Sequence, residues 1–480
     1  MNIVDPILFQ ATLQPKAAAL CAPGTGISLI SYGRLVQMVH TISLQLRRFG
    51  LGPGKIVAVE IKDPIFLAAA TLALARLGAA TVSRYDDRIL NAVRIDALVA
   101  DAYPPRAKVD QVILVDLSWT KTEAVDAPDV PPSGPDDLCR IILTSGTTGE
   151  PKAVAFTNRM VAARTASNDF VFGSRFPSCS RIYSDLPLST APGFWYFIHT
   201  LWRGGTFFLP GETFEATVDV FDEHKVQCVV ASPAGLEVLL RKYEQYPSLQ
   251  SEFEMMIAVG DVFSKTLSDR VRSRICSHVT CVYGATETQT TATGPAHVLC
   301  ETPGATGFVV PNVTVEIVSE SGDTLPNGIE GLVRIKSPNV VDCYMGDPVA
   351  SAKAFRDGWY YPGDRGRLEP GNLLCLAGRE DTLLNLGGDK VSPESIEQVV
   401  AACPGVFECA AFGVPNEFGI GTLWVAILAD SNLGDETLRA HCRSNLPGQF
   451  VPAGYLRPAA LPRNAMGKVD RAALPKLLIR

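Results

Sequence analysis

The stretch that decides the fold is CRIILTSGTTGEPK at residues 139–152, where an apolar strand runs directly into a loop of glycines and hydroxyl residues. In α/β proteins, ligands bind at loops that follow the carboxyl ends of strands. This loop offers glycine-exposed backbone N–H groups, hydroxyl groups and one ammonium, a combination that suits a polyphosphate. The sequence therefore predicts a phosphate-binding loop made of Thr144, Ser145, Gly146, Thr147, Thr148, Gly149 and Lys152.

The spacing in this loop excludes a P-loop NTPase. That motif requires GxxxxGK followed by Ser or Thr, whereas Glu150 and Pro151 separate Gly149 from Lys152, and Ala153 follows. For this stretch taken alone, an ordinary surface turn rich in Ser, Thr and Gly is the alternative. Other motifs along the chain have to decide between the two.

The surrounding sequence alternates short β-branched runs with helical patterns. The runs include IVAVEI at 56–61, VILVDL at 112–117, VVAS at 229–232 and MMIAV at 255–259. This alternation predicts a largely parallel sheet with crossover helices. The apolar stretch 64–83 approaches the length of a membrane span but contains Arg76 and Gly78, so we predict a buried helix followed by a strand.

The sequence pattern changes after Gly304. Short runs such as GLVRIK at 331–336 are separated by Gly, Pro and Asn and predict antiparallel β structure. Further on, Ser392 and Pro393 predict the capped start of a helix. Strand-like runs at 406–414 and 423–429 and a helix near 436–445 complete a small α+β unit. We predict domains at 1–379 and 380–480.

Composition indicates a globular chain of the size of an enzyme, with 480 residues, of which 47% are hydrophobic and 19% charged. The net charge of −7 with no basic block argues against nucleic acid or an anionic membrane as the main partner and favours small molecules. Twelve cysteines without a CxxC pair indicate reduced thiols and neither a disulfide framework nor a zinc site. The N-terminal residues show no export signal, so a cytoplasmic location is expected.

Three further motifs follow the loop in order: YGATE at 283–287, the string from WYYPGD at 359–364 to LNLGGDKVSP at 384–393, and PRNAMGKVDR at 462–471. Each short piece alone is compatible with a turn, and a lone lysine such as Lys468 with a solvated surface group. Together and in this order they resemble the adenylate-forming superfamily, which contains acyl- and aryl-CoA synthetases, peptide-synthetase adenylation domains and luciferases. The resemblance covers essentially the whole chain.

The resemblance implies an α/β plus β fold, in which a large N-terminal domain has α/β and β-barrel-like subdomains and a small α+β C-terminal domain is mobile. It implies that ATP, with Mg²⁺, activates a carboxylic acid to acyl-AMP and that pyrophosphate is released. The acyl group then passes to the thiol of coenzyme A. The same role could be filled by the phosphopantetheine thiol of an acyl carrier protein, and the sequence leaves both acceptors open.

The resemblance also implies roles for residues of the nucleotide site. The phosphate loop grips the β- and γ-phosphates. In the next loop, Tyr283 packs on the adenine and Gly284 belongs to the same ATP site. Thr286 contacts the α-phosphate, and Glu287 holds Mg²⁺, a hard cation suited to carboxylate ligands. Asp364 is expected to bind the ribose hydroxyls.

The remaining implied roles belong to the domain junction and the C-terminal domain. Arg379 is expected beside the ribose or phosphate, Asp381 at the hinge, and Gly387 and Gly388 along the thiol channel. Lys468 is the candidate catalytic lysine, because a mobile ammonium between two anions offsets their repulsion as charge builds at the α-phosphorus.

Phe194, Trp195, Val259 and Gly260 are the predicted walls of the acid pocket, although aromatic residues at helical spacing are often core residues instead. The superfamily's amino-acid activators carry an aspartate that meets the substrate ammonium. No aspartate occurs between Leu188 and Leu201, so an acid without a charged amino group is preferred.

Three features depart from the superfamily pattern. Thr190 stands where many acyl- and aryl-CoA ligases have histidine, and Pro362 replaces the usual Thr or Ser. The segment 84–105 is short, which predicts a trimmed or exposed N-terminal subdomain. A nucleotide-binding regulator without turnover is the alternative of another class, although Lys152 and Glu287 are intact, as are Asp364 and Lys468. The oligomeric state does not follow from the sequence.

Overall fold

The computed structural model describes residues 1–103, 108–121, 133–144, 151–172, 175–246, 249, 253–261, 263–380, 384–386, 389–415, 421–463 and 468–478. Its α-helices are α1 Asp5–Leu13, α2 Tyr32–Arg48, α3 Pro64–Arg76, α4 Asn158–Val171, α5 Arg175–Ser178, α6 Ala191–Trp202, α7 Phe214–Glu223, α8 Pro233–Gln245, α9 Lys265–Arg274, α10 Ala296–Leu299, α11 Pro348–Ala354, α12 Pro393–Ala401 and α13 Asp435–Asn445.

The strands before the C-terminal domain are β1 Ala18–Cys21, β2 Leu29–Ser31, β3 Ile56–Glu60, β4 Ala80–Val82, β5 Ala97–Ala100, β6 Val112–Leu114, β7 Leu138–Thr144, β8 Lys152–Thr157, β9 Arg181–Ser184, β10 Thr206–Phe208, β11 Cys228–Ala231, β12 Met255–Val259, β13 Val279–Ala285, β14 Gln289–Pro295, β15 Ala305–Val309, β16 Thr314–Val318, β17 Gly331–Lys336, β18 Phe355–Arg356, β19 Trp359–Tyr360, β20 Asp364–Glu369 and β21 Leu373–Arg379. Those that follow are β22 Leu384–Leu386, β23 Asp389–Val391, β24 Val406–Pro415, β25 Gly421–Ala429 and β26 Gly454–Leu456.

A six-stranded sheet in the order β6-β5-β3-β4-β7-β8 contains the strand that precedes the phosphate loop. Its strands are parallel except for the antiparallel pair β7–β8. Helix α3 crosses between β3 and β4 and begins at Asp63, whose carboxylate accepts the Phe66 N–H at 2.9 Å. The helix is buried continuously from Ala68 to Ala75, which confirms the predicted buried helix and following strand. No helix among the described residues is long and apolar enough to span a membrane.

A fifteen-stranded sheet joins the two kinds of β structure that the sequence predicts. Strands β13, β12, β11, β9, β10 and β1 run parallel, and from β14 to β21 the pairing is antiparallel. The main core packs between this sheet and the six-stranded sheet, with residues of α2, α3 and α6. Strands β11, β12 and β13 therefore end at a common edge, where loops can converge on one site.

The C-terminal part is the small α+β unit that the sequence predicts. Strands β24 and β25 are antiparallel, β26 pairs parallel to β25, and α12 and α13 pack with them on a core that includes Val400 and Leu438. The Ser392 hydroxyl accepts the Glu394 N–H at 3.2 Å and begins α12, as expected. Gly378, at φ +135°, allows this cap to approach β21, because a Cβ there would lie 1.9 Å from the Ser392 Oγ.

The described part of the short segment 84–105 is packed against the six-stranded sheet. Ile89, Val93 and Ile95 are at most 4% exposed and cluster with residues of β7 and β5. Three apolar side chains within seven positions of this short segment therefore reach the sheet and are buried there. The trimmed or exposed N-terminal subdomain stays a prediction.

Candidate nucleotide and acid site

The YGATE motif forms the tight connection between β13 and β14. Gly284 is required there, because a Cβ on it would lie 2.0 Å from the Gln289 carbonyl oxygen. Gln289 adopts φ +66° as the chain reverses, and the Ala285 N–H donates to the Thr288 hydroxyl at 3.2 Å. The turn therefore presents Thr286 and Glu287 from a fixed backbone at the sheet edge.

Glu287 is buried, with 5% of its surface exposed, and its carboxylate is held by a tyrosine. The Tyr344 hydroxyl donates to Glu287 Oε1 at 2.7 Å. Burial, and next the Glu287 charge, raise the pKa of Tyr344, so this hydroxyl keeps its proton. The Lys152 ammonium lies 4.8 Å from the centroid of the Tyr344 ring. Tyr344 thus links the predicted metal carboxylate to the predicted phosphate-binding lysine.

Asp364 forms a second buried acidic group, with 6% of its surface exposed. It begins β20 opposite Arg379 of β21, and Arg379 Nη1 lies 3.4 Å from its Oδ1. The Tyr283 hydroxyl donates to the other carboxylate oxygen. Burial and the Asp364 charge raise the pKa of Tyr283, which keeps that hydroxyl protonated.

The Tyr360 hydroxyl bonds with Tyr344, and burial, followed by the Glu287 charge, raises the pKa of Tyr360. The contacts of Tyr344 and Tyr283 bring together predicted site residues from three of the motifs. They are Lys152, Tyr283, Glu287, Asp364 and Arg379. We call these five residues the nucleotide cluster.

The nucleotide cluster fits a magnesium nucleotide better than an all-protein metal cage. Among the described residues, no group of three or more His, Cys, Asp or Glu side chains could hold a metal ion. Mg²⁺ is usually bound by one or two carboxylates together with substrate phosphates and water. A single buried carboxylate, Glu287, beside the Lys152 ammonium matches that pattern.

Several predicted site residues lie outside the described residues and stay predictions. In the phosphate loop, Thr144 and Lys152 are described and pair across β7 and β8. The residues not described are Ser145, Gly146, Thr147, Thr148, Gly149, Asp381, Gly387 and Gly388.

The predicted acid-pocket residues separate into two environments. Phe194 and Trp195 on α6 are 1% and 4% exposed. Trp195 packs edge-on against Phe156 at 5.1 Å between ring centroids, so both aromatic residues are part of the core. Val259 is half-buried at the end of β12, and a Cβ on Gly260 would meet no atom of the described residues within 4 Å. Open space at this edge therefore adjoins Val259 and Gly260, and the pocket role of all four residues stays a prediction.

Lys468 is exposed in the segment of residues 462–471, which we call the lysine segment; residues 464–467 are outside the described part. Two arginines tie it to its own domain. Arg463 pairs with Glu408 of β24, and Arg471 Nη2 lies 2.9 Å from both carboxylate oxygens of Glu397 on α12.

Charges from both parts of the chain act on the arginine–glutamate pairs of the lysine segment. Burial lowers the pKa of Arg471, and Glu397, Glu394 and Asp261 outweigh that effect and raise it. Burial also raises the pKa of Glu408, to which Asp261 again contributes. Asp261 directly follows Gly260, so its charge reaches the segment across the boundary between the N- and C-terminal parts.

Sequence reasoning missed four residues that shape the site: Tyr344, Tyr360, Arg164 and Arg140. Arg140 is buried in β7, where its guanidinium donates to the Leu188 carbonyl at 2.7 Å and lies over the Phe194 ring. An arginine within the apolar run CRIIL was a visible signal. Tyr360 was visible as part of the motif WYYPGD, whereas Tyr344 had no such signal, because its role depends on partners distant in the sequence.

Two family models match the chain. The model described as AMP-binding enzyme matches residues 9–345, and the one described as AMP-binding enzyme C-terminal domain matches residues 395–468.

Known proteins are similar over nearly the full length. A 4-chlorobenzoate–CoA ligase from an Arthrobacter species is 28% identical over 98% of this chain and 94% of the ligase. A fatty acid–acyl-carrier-protein ligase from Mycobacterium marinum is 27% identical over 98% of this chain and 97% of that protein. The amide bond synthetase McbA from Marinactinospora thermotolerans has the same fold, with a TM-score of 0.82, 23% identity and 99% of each chain covered.

Proposed function

This chain belongs to the AMP-binding enzyme family, and on that premise we propose that it activates a carboxylic acid with ATP and transfers the acyl group to the thiol of coenzyme A. The acid's carboxylate oxygen attacks the α-phosphorus of ATP. The bond from that phosphorus to the bridging oxygen breaks, and pyrophosphate leaves with the electron pair. The resulting acyl-AMP then donates its acyl group to the thiol, and AMP leaves.

The contact that carries this proposal joins two motifs 81 positions apart, where the Tyr283 hydroxyl donates to the Asp364 carboxylate. It supports a site in which the base lies near Tyr283 and the ribose hydroxyls donate to Asp364. Charge-assisted hydrogen bonds of this kind are about twice as strong as neutral ones. Glu287 would hold Mg²⁺, which supplies charge neutralisation at the phosphates when bound.

Lys468 is proposed as the catalytic lysine. Its ammonium would lie between the acid and the α-phosphate and stabilise the charge that builds there. The domains 1–379 and 380–480 are proposed to rotate about Asp381, so that Gly387 and Gly388 replace Lys468 at the site for the thiol step. Rotation about a short hinge is an established way for one cleft to perform two steps. Exposure of Lys468 and the arginine–glutamate pairs between its segment and its own domain support this motion.

The acid is proposed to lack a charged amino group, and the edge at Val259 and Gly260 is proposed as the wall of its pocket. The similarity to 4-chlorobenzoate–CoA ligase supports an aryl acid and coenzyme A. The similarity to a fatty acid–acyl-carrier-protein ligase supports a second candidate, in which a fatty acid is loaded onto a carrier protein. Thioester formation with coenzyme A and with a phosphopantetheinylated carrier protein, assayed side by side, separates the two.

The decisive experiment is carboxylate-dependent ATP–pyrophosphate exchange over aryl, fatty, dicarboxylic and amino acids. We expect exchange with one class of acid and its loss in Lys468→Ala. Absence of exchange with every acid, while the protein still binds ATP, would favour the regulator without turnover.

A further inference from the structure

Arg164 on α4 is a fully buried cation behind the nucleotide cluster, with 0% of its surface exposed. Its guanidinium nitrogens donate to three backbone carbonyls. Nη1 lies 2.7 Å from the Thr286 oxygen, and Nη2 lies 2.8 Å from the Glu287 oxygen and also bonds the Asn339 oxygen. The first two carbonyls belong to the residues proposed to contact the α-phosphate and to hold Mg²⁺.

The third carbonyl, that of Asn339, belongs to the segment that contains Tyr344, the partner of the Glu287 carboxylate. Asn339 lies five positions before Tyr344, whose hydroxyl bonds Glu287, and the Val341 N–H donates to the Glu287 carbonyl at 3.0 Å. Arg164 therefore fixes both the backbone of Glu287 and the segment that holds its side chain.

The helix that carries Arg164 fixes the end of the same turn. The Gln289 amide donates to the Arg164 carbonyl at 2.6 Å and to Asn168 Oδ1 at 3.0 Å. The Ser167 hydroxyl donates to Gln289 Oε1 at 3.0 Å. One face of α4 thus bonds the turn at residues 286, 287 and 289.

Burial of a guanidinium carries a desolvation penalty, because its charge loses hydration. Arg164 keeps its charge at neutral pH, since burial lowers its pKa only to about 9 and Glu287 opposes the shift. Its face also lies 4.6 Å from the centroid of the Phe156 ring. An apolar side chain would pack there without this desolvation penalty. The arginine is therefore explained by its charge and by the geometry of its hydrogen bonds to the three carbonyls.

We propose that Arg164 is a positioning residue that sets the geometry of Thr286 and Glu287 for the magnesium nucleotide. This inference rests on the proposed function, since it gives those two residues their roles. Its specific consequence is a change in the requirement for Mg²⁺ and MgATP that loss of stability alone does not produce.

The test compares Arg164→Met with Arg274→Met in ATP–pyrophosphate exchange, at a temperature where circular dichroism shows both variants folded. Arg274 is a matched control, because its guanidinium also lies over an aromatic ring, that of Tyr243, and also donates to backbone carbonyls, those of Tyr243, Tyr246 and Leu249. We expect Arg164→Met to raise the Mg²⁺ concentration for half-maximal exchange and the KM for MgATP by about tenfold or more, given two or three lost hydrogen bonds. Arg274→Met should leave both within about twofold.

Arg164→Lys covers the case in which the methionine variant does not fold. One ammonium keeps the charge but cannot span three carbonyls, so a threefold to tenfold rise in the Mg²⁺ requirement is expected, on the order of one lost hydrogen bond. Equal Mg²⁺ and MgATP requirements in wild type and a folded Arg164 variant would overturn the inference. Absence of exchange in wild type would instead overturn the proposed function.

Discussion

The nucleotide cluster and the lysine segment are held in opposite ways. In the nucleotide cluster, Glu287 and Asp364 are 5% and 6% exposed and each accepts a tyrosine hydroxyl. In the lysine segment, Lys468 is exposed, and the segment is tied to its own domain by arginine–glutamate pairs. On the proposed function, this difference leads us to expect that one half is fixed before substrates bind, whereas the other half approaches and leaves as a unit.

Removal of the lysine should have the largest effect. Lys468→Ala is expected to lower the exchange rate by about 10²–10³-fold, the usual cost of losing one group that stabilises transition-state charge. Lys476→Ala is the matched control, because it removes an exposed lysine eight positions away. Equal exchange rates in the two variants would remove Lys468 from the mechanism.

Asp364→Asn should produce the next largest effect, and on a different parameter. Loss of a charged hydrogen-bond acceptor costs about 1.5–3 kcal/mol, so kcat/KM for ATP should fall by about 10–100-fold. Asp323→Asn, in an exposed turn of the antiparallel region, serves as the control. A normal ATP dependence in Asp364→Asn would show that the ribose is bound elsewhere.

The pH dependence of the free energy of unfolding can show whether the Asp185 carboxyl is buried at the edge of the sheet that supports the nucleotide cluster. Asp185 follows β9, and burial raises its pKa to about 7, although the Ser232 N–H donates to it at 3.3 Å. A carboxyl with a raised pKa stabilises the fold fully below its unfolded pKa near 4 and loses this contribution as the pH rises through about 7.

Asp185→Asn resembles the protonated form of Asp185. As the pH rises from 4 to 7, the free energy of unfolding of the variant should therefore increase relative to that of wild type, by up to about 1.4 kcal/mol per pH unit. Thermal unfolding midpoints at several pH values measure this difference. A constant offset between the two proteins across that range would mean that Asp185 titrates normally.

Tyr344→Phe should have the smallest effect, because it removes only the hydroxyl that holds Glu287. A hydrogen bond to a charged group contributes about 1.5–3 kcal/mol. Glu287 keeps its charge for Mg²⁺ without this hydroxyl, so we expect only part of that contribution to be lost and kcat/KM for MgATP to fall about threefold to tenfold. Tyr361→Phe removes a hydroxyl whose partner is Arg334 and should leave the value unchanged. If both variants match wild type, the position of Glu287 does not depend on Tyr344.

The residues of the nucleotide cluster and of the lysine segment could both be predicted from the sequence. The residues that support Glu287 could not. YGATE, the run ending at Asp364 and the segment around Lys468 were found because their residue types are fixed by chemistry and follow in order. Their supports, Tyr344 and Arg164, come from positions 57 and 123 residues away from Glu287. Such long-range contacts depend on tertiary packing, which periodicity and local motifs do not encode.

Local patterns predicted helices and strands but not the elements against which their side chains pack. Helix α3 and strands β7 and β24 follow from local apolar patterns and caps. The burial of Phe194 and Trp195 on α6, and of Ile89 in the short segment 84–105, depends on which face meets a neighbouring element. A pattern of apolar residues indicates that something is buried but does not indicate against what.

The most direct test of the comparison is equilibrium binding of MgATP to Lys468→Ala and to wild type by isothermal titration calorimetry. If the nucleotide cluster is complete without the lysine segment, the two dissociation constants should agree within about threefold while exchange in the variant is lost. Binding that is weakened tenfold or more would show instead that Lys468 belongs to the nucleotide site itself and that the two halves do not act separately.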